Sequence, residues 1–344
     1  MTDLTARTNC QLKLHSPTDL LVELPALIGF VPDESFVAVL LDRGTVRCTM
    51  RMDLDDDLTE AAIRTIGVAH RAEADEVVTV TYTRYAGGDL PLQWEVGCVV
   101  DLLEEQGIAV RDNLLVDRDR WWSYACINES CCPPNGNPLP DRTPVLEAER
   151  VATGRTTIAA SRENAAAAFT VDPGRELPED VLAGAQVALE ALTGTLRAEY
   201  ALEALTTLCS LHEAPEEDSA VDEDLATSLQ AVVALSLQDL HVRDYLLGHS
   251  TNRWSDLAAP SDALVQTALV APPSLRPQVA ATAMGLLAAD GSNAVALWCM
   301  ADLSEGESLS QLVRAGVEAG FPPNEIRALF AAVLPEVNQR LANS

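Results

Sequence analysis

Hydrophobic and polar positions follow two different periods along this chain, and the change comes near residue 175. The first half mixes alternating stretches with helical ones. Residues 16–29 open on Ser16-Pro17-Thr18-Asp19, a helix start with Ser as N-cap, Pro at the first helical position and an acid in the first turn. Leu20, Leu21, Leu24, Leu27 and Ile28 supply an apolar face and Gly29 a stop, while Pro25 is expected to split the segment into two short helices. Segments 35–41 and 45–53 flank Asp42-Arg43-Gly44 and predict a hairpin with a three-residue turn. In its second strand Val46, Cys48, Met50 and Met52 alternate with Thr45, Arg47, Thr49, Arg51 and Asp53, giving one apolar and one polar face. The polar face reads as a solvated one; the sharper alternative is an anion- or partner-binding surface built on Arg47, Arg51 and Asp53.

A helix over 58–72 follows the acidic run Asp55-Asp56-Asp57, and a β-branched strand lies within 75–85. A helix over 92–106 is closed by Gly107, and strands over 110–116 and 120–126 pair around Asp117-Arg118-Asp119. This order predicts an α/β domain with a mixed sheet over residues 1–175. Residues 145–173 are a transition containing Gly154 and a short helix near 162–168. Beyond 178 the period is helical throughout: a long stretch to 212 broken near Gly194, then helices over 222–239, 239–248, 261–270, 275–289, 292–302, 308–319 and 323–334. Residues 176–344 therefore predict an all-helical domain, with an acidic loop near 213–224 as its most mobile connection. No repeat period runs through it, so an ordinary helical bundle is expected, with Trp254 and Trp298 in its core; the alternative is a concave helical surface for a partner peptide, anchored by those two residues.

Charge narrows the function classes. The net charge is −29, with 16 basic against 28 acidic residues in 1–175 and 7 against 24 in 176–344. Lys13 is the sole lysine. No basic run exists to displace counterions from phosphates, so neither nucleic acid nor an anionic membrane is an expected partner. No glycine-rich phosphate loop follows a strand. The N-terminus lacks a signal-peptide pattern and no apolar run reaches membrane-spanning length, which points to a cytoplasmic protein. There, Cys10, Cys48, Cys98, Cys209 and Cys299, set among apolar or small residues, read as packed thiols.

The segment 121–136 stands apart. Trp121-Trp122-Ser123-Tyr124-Ala125-Cys126 and Cys131-Cys132-Pro133-Pro134-Asn135-Gly136 hold two of the five Trp and three of the eight Cys. As a strand it puts Trp121, Ser123 and Ala125 on one side and Trp122, Tyr124 and Cys126 on the other. One aromatic side is expected in the core and the other to cover a helix or line a pocket, so Trp121, Trp122 and Tyr124 join Arg47, Arg51 and Asp53 as candidate surface residues. Three readings compete for Cys126, Cys131 and Cys132. A zinc site has three ligands here at irregular spacing, and any fourth must arrive by folding. A redox role pairs Cys126 with Cys131 or Cys132, with no activating base nearby in sequence. The plainest reading is buried thiols stabilising a compact loop. No cofactor is otherwise expected.

Ser16-Pro17-x-Asp19-Leu20, Gly29-Phe30-x-Pro32-x-x-Ser35, Arg51-x-Asp53-Leu54 and the Trp121–Gly136 motif resemble domain-of-unknown-function family 4192 of actinobacteria. Val242-Arg243-Asp244, Ala289-Asp290-Gly291-Ser292-Asn293-Ala294 and Ala319-Gly320-Phe321-Pro322-Pro323 extend the likeness over nearly the whole chain, with a departure at Trp298-Cys299-Met300. The resemblance implies an actinobacterial, cytosolic origin and carries no activity, cofactor or catalytic residue with it. The expected function is a non-catalytic interaction or scaffold protein that binds another protein. The alternative is an enzyme, a thiol-redox protein or a zinc protein with its site at the Trp121–Gly136 loop.

Overall fold

The structure is a computed structural model, and it describes residues 16–54, 57–140, 158–212, 219–291 and 293–343. Contacts divide the chain into two compact units, Met1–Arg162 and Glu163–Ser344. The first is built on a mixed six-stranded sheet, the second on helices. The sequence-based division after 175 falls inside the second unit.

The first unit opens with α1 (Pro17–Ile28), whose N-cap Ser16 accepts a hydrogen bond from the Asp19 N–H at 3.2 Å. Pro25 does not split it. A proline removes a single backbone donor, and the Gly29 N–H still donates to the Pro25 carbonyl at 2.8 Å, while buried Leu24 and Ala26 hold the turn on either side. Strands β1 (Ser35–Asp42) and β2 (Thr45–Asp53) follow. Asp42 pairs directly with Thr45, so the turn has two residues, Arg43 and Gly44, both at positive φ (50° and 77°). That geometry matches the twist of a tight hairpin, where a three-residue turn was expected.

A second correction concerns the faces of β2. The register shifts between Leu40 and Leu41, which pair with Cys48 and Val46 and leave Arg47 as the extra residue. This bulge turns Val46 to the opposite face from Cys48, Met50 and Met52.

The chain continues through α2 (Leu58–Arg71), capped by the Asp57 carboxylate, then β3 (Glu76–Tyr82), α3 (Gln93–Glu105), β4 (Ala109–Asp117), β5 (Arg120–Ser123) and β6 (Asn137–Pro138). Strand order is β2-β1-β3-β4-β5-β6, and only β3 and β4 run parallel, because α3 supplies the crossover between them. The unbroken apolar run of β1 suits a central strand covered on both faces. Phe36, Ala38, Leu40 and Val77 pack under α2 and α3, while Val37, Val39, Leu41 and Val80 pack under Leu20, Leu21 and Leu24 of α1.

The helical unit contains α4 (Arg162–Ala167, starting at the junction), α5 (Glu179–Glu190), α6 (Gly194–His212), α7 (Ser219–Ser236), α8 (Leu240–Arg253), α9 (Ala258–Val270), α10 (Arg276–Asp290), α11 (Ala294–Leu303), α12 (Ser308–Glu318), α13 (Pro323–Ala332) and α14 (Leu334–Ala342). Helix α10 is its axis. Every residue from Val279 to Ala289 is buried, so this helix is covered all round, and its alanines let α8, α9, α11, α12 and α13 approach it closely. The last helix was not expected; Pro335 in its first turn restarts a helix after the break at Val333. Among the described residues no strand lies beyond 180, and no helix is long and apolar enough to cross a membrane. Of the expected acidic loop, residues 213–218 lie outside the described residues and the remainder begins α7. Cys10, Asp55, Asp56 and the transition around Gly154 also lie outside them.

Phe36 is fully buried beneath α2 and α3. Phe36→Ala is expected to lower the stability of the sheet unit by about 3–5 kcal/mol, read as an earlier midpoint in denaturant unfolding followed by far-ultraviolet circular dichroism.

Candidate functional site

The Trp/Cys segment is held at one end of the sheet. Strand β5 pairs antiparallel with β4, setting Trp122 opposite Leu115 and Trp121 opposite Val116. The connecting turn is Arg118-Asp119, with φ 55° at Arg118. Trp121 joins the core under α1, and Tyr124 leans towards the core under α2 and α3, its hydroxyl donating to the Pro91 carbonyl at 2.8 Å. Trp122 does neither. Its ring meets Tyr85 edge-on at 4.8 Å, and its indole N–H donates to the Pro134 carbonyl at 3.1 Å.

The loop after β5 folds down onto this ring. Gly136, at φ 73°, lies so close that a Cβ there would sit 2.5 Å from the indole. Arg120 donates to the carbonyls of Asn135 and Gly136 at 3.0 and 3.1 Å, and β6 then pairs with β5. The strand ends at Ser123, short of the expected 126, because Tyr124 to Asn128 turn away into this loop.

Within the loop Asn128 organises the cysteines. Its carbonyl accepts the N–H of Cys131 at 3.0 Å and that of Cys132 at 2.8 Å. Its side-chain oxygen accepts from the Ser130 N–H at 3.0 Å and hydroxyl at 2.7 Å, an Asx-type turn. Asn137 ties the far end by donating to the Cys131 carbonyl at 3.1 Å. The result is convergence of three sulfurs. Cys126 Sγ lies 3.1 Å from Cys131 Sγ, Cys131 Sγ 3.6 Å from Cys132 Sγ, and all three fall within 4.8 Å of one another. Cys131 is exposed and its two neighbours half-buried.

The three thiols are not equivalent. Hydrogen bonding to Cys131, and then from the Asn128 backbone and Cys132, holds the Cys126 thiol below its ordinary range. Cys131 is raised, first by the same contact with Cys126. Cys132 is pushed up to about 12 by desolvation, reinforced by its two sulfur neighbours. Nearby Asp112 opposes ionisation of both Cys126 and Cys131; its Oδ1 accepts from the Ser123 hydroxyl and the Asn113 N–H. A cleft of about 260 Å3 lies alongside, lined by Gln93, Gly97, Asp101, Asn113 and Tyr124.

The other candidate residues lie elsewhere on the sheet. Arg47, Arg51 and Asp53 belong to β2, at the opposite edge from the thiol loop. Neighbouring strands lie about 4.8 Å apart, so β2 and β5 are about 19 Å from each other. Arg47 pairs with Asp42. Arg51 donates to the Ser35 hydroxyl at 2.9 Å, pairs with Asp53 at 2.6 Å and lies over the Phe30 ring; Asp53 also meets Arg162 at 3.5 Å. Each guanidinium thus has an internal partner. Asn128, Asn137, Asp112 and Tyr85 were not singled out from sequence. Asn128-Glu129-Ser130 carries an Asx-turn signal that could have been read, whereas the other three arrive through strand pairing and loop return.

The family model for a domain of unknown function, DUF4192, matches residues 17–324. The chain belongs to this family. The match takes in the whole thiol loop of this DUF4192 protein and its helical unit through α12. No curated protein and no solved structure matches it.

Two outcomes follow for this DUF4192 loop. Gly136→Ala forces a non-glycine residue into left-handed geometry against the indole; it is expected to destabilise the seated loop by about 1–3 kcal/mol, read as faster amide exchange over residues 135–137. Because the thiolate is the reacting form, iodoacetamide labelling with rising pH is expected to reach Cys126 first, then Cys131, and Cys132 last. Peptide mass mapping checks the order.

Proposed function

We propose that this DUF4192 protein is a metal-thiolate protein in which Cys126, Cys131 and Cys132 together bind one thiophilic cation of the Zn2+ class. The observation that carries this reading is the approach of three sulfurs to within 4.8 Å. Two thiolates bound tetrahedrally to one zinc at about 2.3 Å stand about 3.8 Å apart; the 3.6 Å distance lies close to that spacing and the 3.1 Å distance falls below it, so the ion parts Cys126 from Cys131 slightly. Small side-chain rotations bring the trio around one ion. A dithiol function needs two sulfurs, and the third is what favours a metal.

Among the described residues no fourth His, Cys, Asp or Glu joins the group. Three protein ligands leave one tetrahedral position for water or an incoming ligand, the arrangement of an open, exchangeable site and not of a closed structural one. The net charge of −29 acts in the same direction, since an acidic surface raises the local concentration of cations and repels anionic ligands. The proposed compartment is the reducing cytoplasm, where such thiols persist.

The reading as an interaction module finds support in the helical unit, where Leu312 is 70% and Leu329 59% exposed. Trp254 and Trp298, its expected anchors, are half-buried, with Arg253 and Arg314 over their rings.

Purified under reducing conditions, the full chain is expected to bind zinc stoichiometrically, and Co2+ in its place to give a thiolate-to-metal charge-transfer band. Replacing Cys126, Cys131 and Cys132 together by Ser should abolish both while leaving circular dichroism unchanged. Affinity should fall with falling pH, because each ligand must lose its proton to bind. An unmodified protein that takes up neither ion would sink this reading.

A further inference from the structure

The sulfurs are unevenly spaced, and the asymmetry singles out one pair. Cys126 and Cys131 stand 3.1 Å apart, without a bond between them. A disulfide needs about 2.05 Å, so closing it takes an approach of about 1 Å. The segment between them is tied by local hydrogen bonds through Asn128 and not by packing: Ile127 is 97% exposed and residues 127–130 contribute nothing to either core of the unit. Cys131 is exposed and Cys126 only half-buried, so a small oxidant can reach either sulfur of the pair. Cys132 is placed differently. Its adjacent neighbour Cys131 is farther away at 3.6 Å, across a single peptide bond that makes a ring between adjacent residues strained.

We infer that Cys126 and Cys131 form a reversible dithiol–disulfide couple, a redox modification site whose oxidation by hydroperoxides removes two of the three metal ligands. The Cys126 sulfur attacks the terminal peroxide oxygen and the O–O bond breaks. Cys126 becomes a sulfenic acid, and the departing oxygen takes up the thiol proton and leaves as water or an alcohol. The Cys131 sulfur then attacks the Cys126 sulfur. An S–S bond forms, the S–O bond breaks, and the hydroxyl leaves as water with the Cys131 proton. The two sulfurs lose two electrons between them and the peroxide gains them. Cys132 stays a thiol. A disulfide sulfur no longer offers the thiolate that a metal requires, so a bound cation left with Cys132 alone is released. Disulfide formation stands on the sulfur geometry; the release of a cation rests on the metal-thiolate reading above.

The test treats the full chain, apo and after incubation with zinc, with hydrogen peroxide, blocks remaining thiols by alkylation, maps the peptides by mass and follows free zinc with a chromogenic chelator. The expected result is a Cys126–Cys131 disulfide in the apo protein, the same bond accompanied by zinc release in the loaded protein, and full return of both thiols with a dithiol reductant. Cys132→Ser, which keeps both paired sulfurs, should still form the bond, and Cys131→Ser should stop at a sulfenic acid trapped by dimedone. Oxidation that joins Cys132 to either neighbour, that halts at isolated sulfinic acids in the unmodified protein, or that does not occur overturns the couple. A Cys126–Cys131 bond in a chain that takes up no zinc upholds the couple and removes the metal reading. Zinc that stays bound after the bond has formed overturns the release.

Discussion

The contact between the Trp122 indole and Gly136 is the constraint on which the candidate site depends. The loop from Ala125 to Asn135 has almost no apolar side chain in a core, so nothing inside it compensates the entropy of holding one shape. Trp122 supplies the missing surface. Strand pairing fixes its backbone, Tyr85 fixes its edge, and its N–H takes the Pro134 carbonyl. The loop can lie flat on that ring only because residue 136 has no side chain. With both ends seated, the hydrogen bonds of the Asn128 turn close the loop and collect the three sulfurs.

The sheet then decides what the sulfurs can work with. The loop sits at the β5–β6 edge, where β6 covers a row of backbone groups that would otherwise stand open. The arginines of β2 sit at the other edge and are spent on Asp42, Asp53 and Ser35. Among the described residues no cation stands with the groups that set the thiol ionisation, and Asp112 works against it. Such an environment disfavours a standing cluster of thiolates and suits sulfurs that give up their protons to an incoming cation.

Much of the framework was legible because it is local. Ser16-Pro17, the alternation in β2, the β-branched run of β3 and the glycine after α3 each act within a few residues, and the predicted elements stand where those signals lie. The departures have local causes of another kind. Pro25 stays in a helix because packing outweighs one lost hydrogen bond, and the bulge at Arg47 reverses a face that strict alternation assigns to Val46. Strand β5 stops early because the loop bends to cover Trp122, a long-range event with no periodic trace.

Residue order carries the mixed-sheet first half, the helical second half, the acidity of both and the clustering of Cys126, Cys131 and Cys132 within seven positions. Tertiary structure alone decided that the three sulfurs meet, that Trp122 becomes a platform and Trp121 a core residue, and that the paired arginines lie at the far edge of the sheet. The physical reason is that side-chain periodicity encodes which face a residue presents to its own element. The order of strands, and the point where a loop returns to touch them, are fixed by contacts between segments that no local pattern records.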